Sequence, residues 1–153
     1  MPFVEIGLAD PREPDIQDLL SQSDEYHAKL YPPESNHLLD PDTLAKANVG
    51  FYVARIDGKA QGCGAVVAHD SYAELKRMYV DPGARGNGIG KQLLTQLEQH
   101  AREKNCSEMR LETGIKQPEA IHLYTSFGYR ETPPFGDYKH DPLSLFMRKS
   151  LVA

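Results

Sequence analysis

A chain of 153 residues is the size of one ordinary domain with a proper core, and a net charge of −5 argues against a nucleic-acid surface. With 40% hydrophobic and 25% charged residues the composition is that of a soluble globular protein. Two cysteines, Cys63 and Cys106, supply neither a metal spacing nor a disulfide framework, and six scattered histidines lack ligand spacing, so no metal is expected. No stretch approaches membrane-spanning length, and the N-terminal residues lack the basic-then-apolar run of a secretory leader. A cytoplasmic location, without membrane or nucleic-acid partners, is the expectation.

In chain order, Phe3–Ala9 alternates as a first strand. Ile16, Leu19, Leu20, Tyr26 and Leu30 give residues 13–30 a helical period. Pro32 and Pro33 in "YPPESNH" end it, and Asp40–Ala47 reads as a short capped helix with Pro41 in its first turn. "VGFYVARI" and "AQGCGAVVAH" are two strands joined at Asp57-Gly58, a hairpin signal. Tyr72–Val80 is a third strand with imperfect alternation. Ile89 to Lys104 is the clearest helix, its stripe formed by Ile89, Leu93, Leu94, Leu97 and Ala101, with Glu98 and Arg102 placed to pair at i,i+4. "EMRLETG" is a further strand. "QPEAIHLYTSFG" is a short helix opened by Pro118 and stopped by Gly128, and "LSLFMRK" is the last strand. Hairpins early and crossover helices late predict a mixed α/β sheet in a single domain over 1–153.

The stretch "DPGARGNGIGKQLL" carries the chemistry. Glycines between Arg85 and Lys91, just ahead of a helix, free backbone N–H groups for an anion, and the helix N-terminus adds partial positive charge. It is not a P-loop: Arg85 stands where the first Gly should be, and Gln92 where a metal-binding hydroxyl belongs. Nor is it a dinucleotide fingerprint, because the third Gly would fall at Lys91 or Leu93. What remains is Arg-x-x-Gly-x-Gly opening a helix, suited to a pyrophosphate without a metal, or a glycine turn that only starts the helix.

"RMYVDPGARGNGIGKQLL" resembles the acyl-CoA-binding motif of the GCN5-related N-acetyltransferase (GNAT) superfamily, with Arg85, Gly88 and Gly90 at its Q/R-x-x-G-x-G/A positions. "LETG" and "AIHLYTSFGYR" extend the likeness over most of the chain, and "PPESNH", "GCGA" and "PFGDYKHDPLSLFM" resemble a subgroup of small bacterial members of undefined substrate. The resemblance implies a mainly antiparallel α/β sheet with a splayed parallel strand pair and about four helices. It implies acetyl-CoA as co-substrate, with pantetheine along Met78, Tyr79 and Val80 and pyrophosphate on Arg85, Gly86, Asn87, Gly88, Ile89, Gly90 and Lys91. It implies a small-molecule amine or amino acid as acceptor, and it leaves a homodimer open. A protein lysine acetyltransferase and a non-catalytic acyl-CoA sensor are the rival readings.

Acyl transfer needs a neutral amine, a stabilised oxyanion and a protonated leaving thiol. Glu74 is the first candidate base and Glu112 its rival; either could instead be a structural carboxylate. Tyr124, at the position whose side chain commonly reaches the thioester sulfur in this superfamily, is the candidate acid, and core packing is its alternative. Glu34, Asn36 and His37 of "YPPESNHLL" and Arg77 on the third strand are the candidate acceptor contacts. Residues 135–141 are expected to close the far side of that site. Cys63, between glycines, reads as a small buried side chain.

Overall fold

The computed structural model describes residues 3–36 and 38–152. The chain runs β1 (Val4–Leu8), α1 (Pro14–Leu30), α2 (Pro41–Leu44), β2 (Val49–Ile56), β3 (Lys59–Ala68), β4 (Tyr72–Val80), α3 (Ile89–Glu103), β5 (Glu108–Gly114), α4 (Pro118–Ser126), β6 (Arg130–Glu131) and β7 (Ser144–Ser150). Short 3₁₀ turns at Pro33–Ser35 and Pro82–Ala84 complete it. The seven strands form one sheet in the order β1-β2-β3-β4-β5-β7-β6. Every pair is antiparallel except β4 with β5. This is the mixed α/β architecture, with a single parallel pair and four helices, that the motif implied.

Helices cover both faces, so the inner strands bury both sets of side chains. Tyr52, Ala54, Val66, Leu75, Met109 and Leu111 pack under the stripe of α3, where Leu93, Leu94 and Leu97 are wholly buried. Phe51, Val53, Cys63, Ala65 and Tyr79 face Ile16, Leu19 and Leu20 of α1 and Leu44 of α2. Glu98 does sit 3.8 Å from Arg102, but it is buried and also accepts from Tyr129 Oη and Lys149 Nζ, each at 2.8 Å. The α2 helix stops at Leu44, short of the expected Ala47. Two-residue β6, pairing Arg130 and Glu131 with Arg148 and Met147, is too short to leave a periodic signal.

The feature that positions the site is where pairing stops. The β4–β5 ladder runs from Tyr72↔Glu108 to Leu75↔Leu111 and ends. Beyond it β5 stays on β7, through Glu112↔Phe146 and Gly114↔Ser144, while β4 stays on β3. There β4 bulges: Ala65 pairs with Lys76 and Cys63 with Tyr79, so Arg77 and Met78 together oppose Gly64. Arg77 holds φ +58°, and a bulge of this kind bends its strand and increases its twist. A wedge opens between the two strands.

The C-terminal end of α1 ties down the far side of the wedge. Tyr31 Oη donates to Gln117 Oε1 at 3.2 Å and accepts from the Lys116 N–H at 3.1 Å, and Lys116 Nζ donates to the Leu30 carbonyl at 3.0 Å. Gly114 is required here, because a Cβ would fall 1.8 Å from Tyr31 Oη. Gly114→Ala should displace that buried ring and lower stability by about 1–3 kcal/mol in urea unfolding. An unchanged midpoint would show that Tyr31 swings aside at no cost.

Candidate active site

The loop after β4 turns on two left-handed glycines, Gly86 (φ +86°) and Gly88 (φ +76°), and Gly88 is the N-cap of α3. The first α3 hydrogen bond runs from Gln92 N–H to the Gly88 carbonyl at 3.1 Å, so the N–H groups of Ile89, Gly90 and Lys91 precede the helical ladder. They face a cavity of about 430 Å³ between the outer end of β4, the N-terminus of α3 and the inner side of α4. A Cβ on Gly90 would meet Leu123 of α4 at 3.1 Å, so glycine also permits the close approach of the two helices. Neither Arg85 nor Lys91 forms an ion pair among the described residues, and both line the cavity. Of the ten residues expected to hold the cofactor, the structure brings nine to this cavity: Met78, Tyr79, Val80, Arg85, Gly86, Gly88, Ile89, Gly90 and Lys91. Asn87 does not line it; its amide donates to the Ala84 carbonyl at 2.9 Å and fixes the turn.

Met78, Gln117, Ala120 and Tyr124 form a wall shared with a second, small chamber of about 70 Å³ inside the wedge. Tyr124 is buried there, and its hydroxyl has no hydrogen-bond partner among the described residues. Burial, and after it the charge of Glu112, pushes its phenol far above the usual range, so it is held protonated. Glu112 lines the same chamber.

On the opposite side lies an outer cavity of about 900 Å³, walled by residues 136–141 and by Glu34, His69, Tyr72, Glu74 and Lys76. Ser35 Oγ, donating to Asp141 Oδ2 at 2.6 Å, joins this segment to the Pro33–Ser35 turn. Glu74 is nearly buried and lines this outer cavity, not the wedge. Its Oε2 accepts from Tyr138 Oη at 2.5 Å, its Oε1 lies 3.3 Å from His69 Nε2, and Lys76 Nζ stands 3.7 Å away. Lys76 Nζ in turn donates to Tyr138 Oη at 2.7 Å. Lys76 borders both the wedge and the outer cavity.

Glu34 reaches the outer cavity and His37 lies outside the described residues. Arg77 lines the wedge, but its guanidinium turns to α1, where Nη1 donates to Asp24 Oδ1 at 2.5 Å. Its Nε is buried without a partner. Sequence reasoning passed over His69 and Gln117, weighed Lys76 only as an ion-pair partner of Glu74, and held Tyr138 only within the segment 135–141. Lys76 shares the face of Glu74 two residues on, a signal that strand alternation carries; the other three converge only through the fold. Cys63 is wholly buried, and that burial pushes its thiol up to about 12, which removes it as a nucleophile. Among the described residues no helix is long and apolar enough to cross a membrane, and no group of three or more His, Cys, Asp or Glu is placed to hold a metal.

A bulged central strand, a splayed parallel partner and a glycine-lined anion site at a helix N-terminus define a class of acyl-transferring domain. Residues 14–129 match the acetyltransferase (GNAT) family, and the chain belongs to that family, as an acyltransferase. It is 46% identical to an IAA acetyltransferase of Azospirillum brasilense over 153 residues, covering 99% of this chain and 100% of that one. A solved Klebsiella pneumoniae structure, provisionally assigned as an acyl-CoA N-acyltransferase, superposes with a TM-score of 0.83 at 37% identity, covering 98% and 99% of the two chains. The PaiA N-acetyltransferase of Thermoplasma acidophilum, solved in complex with coenzyme A, has the same fold, with a TM-score of 0.73 at 19% identity over 97% and 99% of the chains.

Proposed function

We propose that this protein is an acetyl-CoA-dependent N-acetyltransferase acting on a small primary amine or amino acid by direct attack in a ternary complex. One observation carries the reading: the cation-flanked, glycine-lined cavity opens onto the wedge from one side of the sheet, and a separate polar cavity approaches the wedge from the other. Two substrates can therefore meet without either leaving its site. The donor set suits coenzyme A. Free N–H groups at the start of α3, with Arg85 and Lys91, suit its pyrophosphate, and the outer end of β4, unpaired toward β5, offers main-chain groups to the pantetheine. Acetyl-CoA supplies the activated acyl group.

The residues divide the remaining work. A lysine-like amine has a pKa near 10.4, so neutralising it at pH 7 costs roughly 4–5 kcal/mol. Glu74 is the carboxylate that ultimately takes that proton. Tyr124, held protonated by burial, gives its proton to the departing thiolate. Main-chain donors near Met78 and Tyr79 meet the oxyanion. The outer cavity mixes carboxylates (Glu34, Glu74, Asp137) with Lys46, Lys76 and Lys139, a lining that accommodates an acceptor bearing both an ammonium and an anionic group.

The test is release of free CoA thiol from acetyl-CoA across amines, amino acids and lysine peptides, with acetyl-CoA binding measured in the same preparation. Release with small amines is expected. Turnover confined to peptides would make it a protein acetyltransferase, and binding without any release would make it a sensor. Arg85→Glu should weaken acetyl-CoA about tenfold or more, the loss of a charge-assisted contact worth roughly 1.5–3 kcal/mol, while unfolding is unchanged. Normal affinity would remove the loop from pyrophosphate binding. Tyr124→Phe should lower kcat by about 100-fold with acetyl-CoA affinity intact, and full activity would remove it as the acid.

A further inference from the structure

The carboxylate assigned as terminal base is separated from the place where the acyl group arrives. Glu74 borders the outer cavity only, whereas Tyr124 and the coenzyme side of the site border the wedge. Lys76 is the charged side chain that, among the described residues, lines both spaces. It is linked to Glu74 chiefly through Tyr138: 2.7 Å from Lys76 Nζ to Tyr138 Oη, then 2.5 Å from Tyr138 Oη to Glu74 Oε2, against 3.7 Å for the direct separation of Lys76 and Glu74. Glu74 Oε1 continues to His69 Nε2 at 3.3 Å. His69 is 39% exposed while Lys76 and Glu74 are 11% and 12% exposed at their side chains, so the chain of contacts runs from buried groups to the surface.

We propose that Lys76, Tyr138, Glu74 and His69 form a proton exit line, in which the neutral Lys76 amine deprotonates the acceptor and the proton leaves by way of Tyr138 and Glu74 to solvent at His69. The inference rests on the acetyl-transfer reading. The steps balance. The acceptor ammonium gives one proton to the Lys76 amine, leaving a free amine to attack the thioester. The Lys76 ammonium passes a proton to the Tyr138 oxygen as Tyr138 passes its own to Glu74 Oε2. Lys76 is again neutral, Tyr138 unchanged and Glu74 protonated. Glu74 then releases the proton to His69 Nε2 and on to water. Only N–H and O–H bonds change, and no oxidant or metal is involved.

The surroundings make the Lys76 proton easier to lose than an exposed lysine's. Burial holds the Lys76 ammonium below the usual lysine range, against the opposing pull of Glu74 on its own strand and Glu112 on β5; Arg77, next in the strand, pushes the same way as burial. Tyr138, from the loop before β7, has its phenol raised by burial and then by Glu74, so it relays as a neutral hydroxyl and never stores charge. Its ring is fixed by edge contacts with Phe135 at 5.2 Å and Phe146 at 5.4 Å between centroids. Those contacts survive removal of the hydroxyl, which makes Tyr138→Phe a clean probe.

The experiment compares wild type, Lys76→Arg, Tyr138→Phe and His69→Gln in the full chain. It measures CoA release with the best acceptor across pH, with and without added imidazole, and acetyl-CoA affinity. Acetyl-CoA affinity should stay within twofold, since none of the three residues lines the coenzyme cavity. Lys76→Arg should lower kcat by about 100-fold or more at every pH, because a guanidinium does not release a proton. Tyr138→Phe should lower kcat at least about tenfold, and imidazole should restore part of that rate, as a diffusible proton carrier replaces the missing hydroxyl. His69→Gln, at the exposed end, should show a smaller, imidazole-rescued loss, and it keeps the proposal testable if a buried variant misfolds. Wild-type kcat in Lys76→Arg or Tyr138→Phe overturns the relay, and so does a slow Tyr138→Phe enzyme indifferent to imidazole. A wild-type protein that releases no CoA with any acceptor overturns the transferase reading itself and the relay with it.

Discussion

Arg77 adopts a left-handed backbone conformation in the middle of a β-strand, and the cavities on either side of the sheet depend on it. For a residue with a side chain that conformation costs roughly 1–2 kcal/mol. The surroundings offset the cost. Asp24 of α1 binds the guanidinium, and Cys63 Sγ donates to the Arg77 carbonyl at 3.2 Å. Opposite the bulge stands Gly64, where a Cβ would lie 2.7 Å from Leu97 and 3.1 Å from Met78. Gly62, two residues back, lets Ile89 approach to where its own Cβ would be, at 2.8 Å. The "GCGA" segment is thus a packing device. It brings α3 down onto β3, which fixes the N-terminus of that helix, and with it the anion site, beside the strand end that the bulge releases.

The fold uses buried carboxylates in two ways, and their partners tell them apart. Glu98 accepts from Tyr129 and Lys149 and sits within the core, away from the three cavities that make up the site. It is a tie between α3, β7 and the end of α4. Glu74 is bound as well, but its partners line a cavity and lead outward to an exposed histidine. A carboxylate enclosed by donors has little to exchange; one that ends a hydrogen-bonded row between interior and solvent can pass a proton on.

The elements themselves were readable because each carries a local signature. Asp57-Gly58 fixed the hairpin of β2 and β3, and the apolar stripe of α3 with Gly88 before it fixed a helix and pointed to an anion site at its start. The nine expected coenzyme-site residues that line one cavity come from the continuous stretch 78–91. Less was legible where function is assembled from distant segments. The imperfect alternation of Tyr72–Val80 hinted at the bulge, yet nothing local places a left-handed residue at Arg77 or turns its charge toward Asp24, 53 residues earlier. Tyr138 meets Lys76 across 62 residues, and their pairing depends on β5–β7 register. Asn87 lay inside the motif but serves the turn, because its short amide reaches the Ala84 carbonyl more readily than it reaches the cavity.

The wedge is small, and burial governs the groups that line it. In such surroundings a charge is expensive unless partnered, so neutral forms prevail. Tyr124 is kept as a phenol by burial, and the neighbouring Glu112 carboxylate reinforces the effect, since a phenolate would face a like charge. Lys76 is drawn toward its neutral amine by the same burial. Under the proposed reaction, one environment would prepare a donor on the coenzyme side and an acceptor on the other, with Met78 and the open end of β4 between them. Arg85 and Lys91 line the cavity at the start of α3 and Glu74 lines the outer cavity under its tyrosine, while Lys76, Arg77 and Glu112 border the wedge itself. In the proposed reaction the polyanionic end of one substrate and the proton from the other are therefore handled on either side of the wedge, by groups that do not share one cavity.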